Sequence, residues 1–530
     1  MPDSPSVHHV ATLAELRDGV PRRVKAGDTP ILLIRDGLQV RAFQADCPHA
    51  GAPLDEGAVC HGKLICPWHK GTFDAACGAL LEPPALQGLT RYAVTLDGDK
   101  VLVSSVAGDP QPAAKVREAD ARPSDTFAIV GGGAAGAAAC ASLREFGFAG
   151  RLVLIDAETC EPYDRTALSK FVPAGELNPD EVYPLLPAGF FEQRRVERIR
   201  TRVTKLDANA REITLDDSRT LSYDAALFAP GSVPKAPDIR GLDNPAVRER
   251  VVLLRGLDDA RRLDRLAGAG GHAVVIGSSF IGLEVASALR KRGLQVIVVA
   301  PGKTPFAAQF GDDIGAHFLA LHERNGTAFR MGTTVEAIRS DHPLRVELDD
   351  GTALGCDFVI VGTGVRPVTD CLEGVARNED GGLDVDASMR VAEALYAAGD
   401  VAAFRPSPGS ARVRIEHWRV AQQQARTAAR AMLGLDAAPS PVPFFWTYHY
   451  GKRFDYLGHA RSGDWDQLVT TGSLDSDDFV ALFARNNSVL AALACNRESA
   501  TALLAEALRD PLTLDAARRL IESASRDSRR

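Results

Sequence analysis

The sequence predicts a multidomain protein in which a small all-β domain precedes a larger α/β region and an α+β C-terminal domain. The chain of 530 residues is longer than one hydrophobic core accommodates. Up to about residue 105, short strand-like runs such as Ile31–Ile34 and Val40–Phe43 alternate with Gly and Asp turns, which is typical of an all-β domain. From about residue 125, apolar strands alternate with Ala-rich helical segments, which indicates a parallel sheet covered by helices.

The composition is that of an ordinary soluble globular protein, with 45% hydrophobic and 25% charged residues. The sequence has no run of about 18 apolar residues that would predict a membrane span, and Met1–Pro5 lacks the features that open a secretory signal. We therefore expect a cytoplasmic protein with no membrane partner. The net charge of −8 and the lack of basic runs argue against nucleic-acid binding.

Two short loops near the N-terminus each combine one cysteine with one histidine, as Cys47-x-His49 and Cys66-x2-His69. Two thiolates and two imidazoles on loops bounded by Pro and Gly suit a [2Fe–2S] centre in which histidines replace cysteines on one iron. The alternative is a structural zinc site, although zinc fingers usually pair cysteines that are close in sequence. We predict that these four residues hold a cluster that transfers single electrons.

The first glycine-rich turn follows the apolar run Phe127–Val130 and precedes an Ala-rich helical segment. Its glycines, Gly131, Gly133 and Gly136, would let the backbone approach a pyrophosphate at the helix N-terminus. Asp156, about 20 residues later, ends the next apolar run, where a carboxylate bonds a ribose hydroxyl. The pattern predicts a dinucleotide site; the alternative is a glycine-rich helix start without a ligand.

A second turn of the same kind contains Gly277, Ser279 and Gly282. The apolar run that follows it ends in Ala300, where the first unit has an acid. Without that acid the 2′-phosphate of a bound NADPH is not repelled, and the nearby Lys303 is a candidate partner for this phosphate. We predict a nicotinamide nucleotide here and leave NADH and NADPH open; the alternative is a duplicated unit that has lost its ligand.

The region from about residue 125 to 530 resembles the pyridine-nucleotide flavoprotein reductases of the ferredoxin-reductase and apoptosis-inducing-factor-like type. Four segments carry the resemblance in the expected order: Glu161–Lys170, Leu395–Val401, Ile415–Trp418 and Phe444–Trp446. It implies that the first unit binds FAD and the second binds NAD(P)H. Cys160 stands alone where a disulfide reductase of this fold has a redox cysteine pair, which argues against disulfide exchange.

The resemblance also implies roles for individual residues. Lys170 is expected near the reactive edge of the flavin, with Glu284 facing it from the nicotinamide side, and both are our predicted catalytic residues. The other residues implied to contact the flavin cofactor are Arg165, Gly399, Asp400, Trp418 and Trp446.

The N-terminal domain resembles the Rieske ferredoxins that serve such reductases. Ala52 and Trp68 stand where high-potential Rieske proteins have two extra cysteines. Gly71 and Phe73 stand where those proteins have a Ser and a Tyr whose hydroxyls hydrogen-bond the cluster and its thiolate. Fewer hydrogen bonds to the cluster favour a potential toward the low end of the Rieske range.

These patterns together predict an NAD(P)H-dependent oxidoreductase that passes electrons through FAD to its own Rieske cluster and then to an unknown acceptor, such as an oxygenase. The alternative is a redox sensor with slow turnover. Monomer and homodimer both remain open. The expected divisions are a Rieske domain (6–106), a linker (107–124) that could allow the domain to swing, an FAD-binding domain (125–242 and 355–436), an NAD(P)-binding domain (243–354) and a C-terminal reductase domain (437–530).

Overall fold

The computed structural model describes residues 7–108, 122–406, 410–436 and 441–527. Residues 7–108 form two antiparallel sheets, one with the strand order β1-β10-β9-β4-β3-β2 and one with the order β5-β6-β7-β8. The strands are β1 (Val7–Thr12), β2 (Arg22–Ala26), β3 (Thr29–Asp36), β4 (Gln39–Gln44), β5 (Ala58–Cys60), β6 (Lys63–Ile65), β7 (Thr72–Asp74), β8 (Leu80–Glu82), β9 (Arg91–Asp97) and β10 (Lys100–Gly108). Strand β10 extends two residues into the predicted linker, and residues 109–121 of that linker lie outside the described residues.

The first α/β unit is built on a six-stranded sheet with the order β13-β12-β11-β17-β31-β30, of which only β30 is antiparallel to its neighbour. Its buried strands and the Ala-rich helix α1 form one apolar core. The first part of this unit contains β11 (Thr126–Val130), α1 (Ala134–Glu145), β12 (Arg151–Asp156), α2 (Phe190–Gln193), β13 (Val196–Arg200), β14 (Val203–Asp207), β15 (Glu212–Leu215), β16 (Thr220–Ser222), β17 (Ala225–Phe228) and β18 (Ser232–Pro234).

The second α/β unit has a parallel sheet with the order β19-β26-β20-β21-β22 and a small antiparallel sheet, β23-β24-β25. Its elements are α3 (Pro245–Arg248), β19 (Val251–Val252), α4 (Leu257–Gly268), β20 (His272–Ile276), α5 (Phe280–Lys291), β21 (Gln295–Ala300), α6 (Ala307–Arg324), β22 (Ala328–Met331), β23 (Val335–Arg339), β24 (Leu344–Leu348), β25 (Ala353–Cys356) and β26 (Phe358–Val361).

The predicted boundary between residues 354 and 355 needs correction. Strand β26 lies between β19 and β20 in the second unit's parallel sheet. The fully buried residues of β26, such as Phe358 and Ile360, complete that unit's core. The chain therefore returns to the first unit only after residue 361.

The returning segment completes the first unit and leads into the C-terminal domain. It contains β27 (Val365–Pro367), β28 (Leu372–Glu373), β29 (Leu383–Asp384), β30 (Arg390–Ala392), β31 (Leu395–Ala397), β32 (Ala402–Phe404), β33 (Val413–Arg414) and α7 (Trp418–Met432). The C-terminal domain is an antiparallel sheet, β34-β35-β38-β37-β36, with two helices. Its elements are β34 (Phe444–His449), β35 (Lys452–Gly458), β36 (Gln467–Ser473), β37 (Asp478–Arg485), β38 (Ser488–Cys495), α8 (Glu498–Ala507) and α9 (Leu514–Asp527). None of the helices within the described ranges is long and apolar enough to cross a membrane.

The N-terminal domain packs against both α7 and the C-terminal domain. Arg419, on α7 and fully buried, donates to the carbonyls of Pro83 (2.7 Å) and Lys70 (2.8 Å) and to the carboxylate of Glu82 (2.8 Å). Arg509, which follows α8, also donates to Glu82. Burial alone would raise the pKa of Glu82, but the two guanidinium groups hold it below its usual value.

A second buried contact joins the loop after Cys66 to the C-terminal sheet. The ammonium of Lys70 donates to the carbonyl of Pro67 and to Asp455 on β35, the latter at 2.9 Å. The side chain of Lys70 is completely buried, and the hydroxyl of Thr501 on α8 donates to the same Asp455 oxygen. Because both charges of this pair are withdrawn from water, the paired geometry is required in the docked arrangement.

We expect Arg419→Met to lower the free energy of unfolding by about 3 kcal/mol, because it leaves buried carbonyls and part of the Glu82 carboxylate without a donor. Chemical denaturation of the holoprotein measures the change. The matched control is Arg265→Met, since Arg265 is exposed on α4. Equal denaturation midpoints for the two variants would contradict the importance of this interface.

Candidate active site

The four predicted cluster ligands lie on two neighbouring loops. Cys47 and His49 follow β4, and Cys66 and His69 follow β6. Each cysteine closes its own turn, because the amide of Cys47 donates to the carbonyl of Ala52 (2.8 Å) and that of Cys66 donates to Gly71 (2.8 Å). Hydrogen bonds local to each loop therefore hold the two ligand pairs in place.

The ligands approach one another as two like pairs. The Nδ1 atoms of His49 and His69 are 3.1 Å apart, and the thiols of Cys47 and Cys66 are within hydrogen-bonding reach of each other. Across the described residues, no three His, Cys, Asp or Glu side chains converge on a single-ion site. A pair of thiols beside a pair of imidazoles fits a two-iron cluster, in which each iron takes one pair.

Trp446 on β34 is close to both the ligand loops and Lys170. Its ring centroid is 4.2 Å from that of His69. The ammonium of Lys170 lies 6.0 Å from the centroid of the same ring. A residue expected to line the flavin is thus also in contact with a predicted cluster ligand.

A cavity of about 320 Å³ opens at the carboxyl ends of the first unit's strands. Its lining includes these predicted residues: Gly131, Gly133, Asp156, Arg165, Gly399, Asp400 and Trp418. Asp400 accepts from the hydroxyl of Ser232 (2.5 Å) and from Arg255 (3.2 Å), while Arg165 donates to Glu158. Burial raises the pKa of Asp156 at the end of β12.

The cavity fits an extended dinucleotide such as FAD. A Cβ on Gly136 would lie 1.8 Å from the carbonyl oxygen of Gly131, so the helix can approach the strand only without a side chain. Gly133, in contrast, faces open space at the N-terminus of α1. The buried Nε1 of Trp418 lacks a partner in the described structure, which leaves a donor available to a ligand.

Lys170 and Glu284 form a buried ion pair between the two units. The ammonium of Lys170 donates to Glu284 Oε2 at 2.9 Å, and Ser169 Oγ donates to the same oxygen at 2.5 Å. Thr447 on β34 donates to the other oxygen, Oε1, at 2.7 Å. The two side chains are only 6% and 5% exposed, so the carboxylate is fully supplied with donors while shielded from water.

The second glycine turn joins β20 to α5 and carries Glu284 two residues after Gly282. A Cβ on Gly282 would lie 2.3 Å from the carbonyl oxygen of Gly277, whose φ is +111°. Ser279 precedes α5, and its hydroxyl makes no capping bond to the helix. Ala300 ends β21 in the core, whereas Lys303 is exposed.

The structure adds residues that sequence reasoning missed. Thr447 is only one position after the recognised Trp446, but His322 and His449 come from separate elements and carry no motif. Both histidines are completely buried and are hydrogen-bonded to each other. What distinguishes them from ordinary core residues is the hydrogen-bonded link from His449 through Thr447 to Glu284.

We expect Gly136→Ala to reduce both stability and bound FAD, because the added methyl group would clash with the Gly131 carbonyl. Gly133→Ala has room for its methyl group and is the matched variant: it should fold normally and lose only dinucleotide affinity, by about tenfold or more. Thermal unfolding and FAD content measure the two effects. Identical behaviour of both variants would contradict this division of roles.

The three regions of the chain match three known families. Residues 6–93 match the Rieske [2Fe-2S] domain, residues 125–425 match the pyridine nucleotide-disulphide oxidoreductases, and residues 444–529 match the reductase C-terminal domain. These matches confirm the predicted fold class and the expected cofactors, a [2Fe–2S] cluster, FAD and NAD(P)H. They favour the cluster over the zinc alternative.

Several individual proteins are similar to this chain over a large part of its length. Apoptosis-inducing factor 3 from Mus musculus is 32% identical over 514 residues, which cover 94% of this chain and 83% of that protein. The ferredoxin–NAD(+) reductase component of the anthranilate 1,2-dioxygenase system from Burkholderia cepacia is 35% identical over 344 residues, covering 64% of this chain and 83% of that protein.

A solved structure shows the same architecture. The covalent putidaredoxin reductase–putidaredoxin complex superposes with a TM-score of 0.70 at 26% identity, covering 76% of this chain and 100% of the matched chain. The fold, the cavity beside the first glycine turn and the sequence matches agree. The chain belongs to the pyridine nucleotide-disulphide oxidoreductase family, as an oxidoreductase that joins a Rieske [2Fe–2S] domain to a ferredoxin-reductase-like flavoprotein.

Proposed function

We propose that the protein oxidises NAD(P)H and sends the electrons through FAD to its own Rieske cluster, from which an external acceptor takes them. The observation that carries the proposal is the contact between His69 and Trp446, at 4.2 Å between ring centroids. It supports a short path between the flavin site and the cluster within one chain. Bound FAD supplies the conversion of a hydride into single electrons.

The side chains have distinct parts in this proposal. Cys47, His49, Cys66 and His69 bind the cluster. The first glycine turn, Asp156, Arg165, Gly399, Asp400, Trp418 and Trp446 bind FAD, and Gly277, Ser279 and Gly282 bind the nicotinamide nucleotide. Lys170 places a positive charge beside the reduced cofactor, and Glu284 keeps that charge oriented and balanced.

The packing of the Rieske domain supports transfer without release of the domain. The buried pairs Lys70–Asp455 and Arg419–Glu82 anchor the Rieske domain, and Arg419 also donates to the carbonyl of Lys70 beside the second ligand loop. A fused, docked cluster replaces diffusional encounter with a high local concentration. We propose that the domain divisions, with the boundary corrected above, separate the cluster, FAD and NAD(P) sites, and that the protein acts in the cytoplasm on a protein acceptor.

A redox sensor is the second candidate, because a relative that is similar over 94% of the chain is apoptosis-inducing factor 3. A sensor would hold reduced cofactor for a long time, whereas a reductase would pass electrons on rapidly. Turnover with an artificial one-electron acceptor therefore separates the two functions.

An anaerobic titration with NADH and with NADPH tests the main proposal. We expect bleaching of the flavin absorbance followed by an EPR signal of the reduced Rieske cluster in the same protein. His49→Cys should retain FAD and its reduction but lose the Rieske-type spectrum. A reduced flavin that never reduces the intact cluster would refute internal transfer.

Lys170→Met should slow reduction of the bound flavin by at least about tenfold, because it removes the charge beside the site and leaves Glu284 unpaired. Stopped-flow absorbance under single-turnover conditions measures the rate constant. Lys291→Met is the control, since the Lys291 side chain is 49% exposed and pairs with Glu176 at the surface. An unchanged rate constant in Lys170→Met would remove this residue from the mechanism.

A further inference from the structure

A continuous line of hydrogen bonds leads away from Glu284 through the protein interior. It crosses β34 and α6 and ends beside the turn between β34 and β35. The successive contacts are Glu284 Oε1 to Thr447 Oγ1 (2.7 Å), Thr447 Oγ1 to His449 Nε2 (2.9 Å), His449 Nδ1 to His322 Nε2 (3.2 Å), His322 Nδ1 to Tyr450 OH (3.2 Å) and Tyr450 OH to Thr327 Oγ1 (2.7 Å).

The ionised carboxylate at one end fixes the direction of every donor. Glu284, paired with the Lys170 ammonium, accepts only, so Thr447 must give it its single hydroxyl proton. Thr447 then accepts from Nε2–H of His449, whose Nδ1 accepts from Nε2–H of His322. The free Nδ1 of His322 accepts from Tyr450, which in turn accepts from Thr327. All five donors therefore point toward Glu284.

The two histidines have the protonation state that such a chain requires. Burial lowers the pKa of His449 to about 3, with the Lys170 charge acting in the same direction and the Leu283 carbonyl opposing it. Burial and the neighbouring His449 lower the pKa of His322 well below its usual value. Each ring is thus neutral, with one nitrogen that donates and one that accepts.

The outer end lies near the protein surface. Tyr450 is half-buried in the turn, with φ of +51°, and its amide donates to Ser287 Oγ at 2.8 Å. Burial raises the pKa of Tyr450 to about 12, whereas the Thr327 hydrogen bond and the Arg290 charge act to lower it. The line of contacts therefore joins the buried ion pair to a half-buried turn residue, Tyr450, whose partner Thr327 is only 3% exposed.

The function proposed above creates a need for such a path. Oxidation of one NAD(P)H by two one-electron acceptors gives NAD(P)⁺, two reduced acceptors and one proton. The electrons leave toward the cluster, but the proton stays at the site that Lys170 and Glu284 line. Thr447, His449 and His322 serve no part of the electron path.

We propose that Thr447, His449, His322 and Tyr450 form a proton path between Glu284 and the Tyr450 turn; this rests on the proposed function. In the releasing direction, protonation of Glu284 at Oε1 requires the hydroxyls to rotate and each imidazole to exchange its Nε2–H for Nδ1–H, so that all donors point outward before the proton moves. Each O–H or N–H bond breaks as the next one forms, and the last proton leaves from the Tyr450 hydroxyl. The shift moves one proton, leaves both imidazoles neutral and restores the ionised carboxylate with its inward-pointing donors.

The first test follows protons and electrons separately in the holoenzyme. NAD(P)H is oxidised by excess ferricyanide in weak buffer, with a pH indicator for released protons and absorbance for flavin and ferricyanide. Tyr450→Phe should slow proton release at least about tenfold and raise the solvent isotope effect on reoxidation, while flavin reduction by NAD(P)H stays unchanged. Tyr183→Phe is the matched control, because Tyr183 is 65% exposed.

The outcomes separate the path from the function on which it rests. Unchanged proton release and isotope effect in a folded Tyr450→Phe variant would overturn the path while leaving the reductase function intact. Failure of the unaltered protein to oxidise NAD(P)H would instead overturn the proposed function.

A second test needs neither turnover nor a variant of Tyr450. Nitrogen NMR of the oxidised holoprotein labelled with ¹⁵N-histidine should show His322 and His449 as neutral Nε2–H tautomers, identified by loss of their signals in His322→Gln and His449→Gln. Nδ1–H tautomers or charged rings in the resting protein would contradict the derived donor order and overturn the path.

Discussion

The buried ion pair between Lys170 and Glu284 joins three parts of the chain at one point. Lys170 comes from the first α/β unit, Glu284 lies in the helix α5 that follows the second glycine turn, and Thr447 binds the same carboxylate from the C-terminal sheet. Removing either charge would leave the other without compensation in a water-poor site. The relative position of the two dinucleotide units, and of the sheet that carries Trp446, therefore depends on this contact.

The docking of the Rieske domain adds a second constraint on the same region. Its second ligand loop contacts Trp446 through His69, while Glu82 at the end of β8 bonds Arg419 on α7 and Arg509 just after α8. A polar interface of this kind fixes the orientation of the docked domain as well as stabilising it, because each buried carboxylate accepts hydrogen bonds only when its donors are correctly placed. The arrangement orients the cluster rather than merely tethering it.

Local patterns made much of this protein predictable from its sequence. The Cys-x-His and Cys-x2-His loops and the glycine turns are short, and their geometry depends on neighbouring residues such as Gly136 and Gly131. The predicted domain boundary near residue 354 precedes β26, which belongs to the sheet of the second unit. The residues of β26 show that it is a buried strand, but they do not show which strands it pairs with. Contacts between residues hundreds of positions apart, such as Lys70 with Asp455, leave no local pattern. Helix α7 is similar: Arg419, Gln423 and Arg426 are buried and donate to residues of the Rieske domain, including Glu82 and the Leu80 carbonyl.

The loop after Cys66 has a consequence for how the protein retains its metal. The same short segment carries the proposed ligands Cys66 and His69 and the docking residue Lys70, so order imposed by one interaction is shared by the other. Thermodynamic linkage makes this effect reciprocal. If the contact between Lys70 and Asp455 increases the affinity for the cluster, binding of the cluster tightens the docking of the domain by the same factor. With Cys66 and His69 as ligands, assembly of the metal centre and closure of the domain interface are coupled steps in the maturation of one polypeptide.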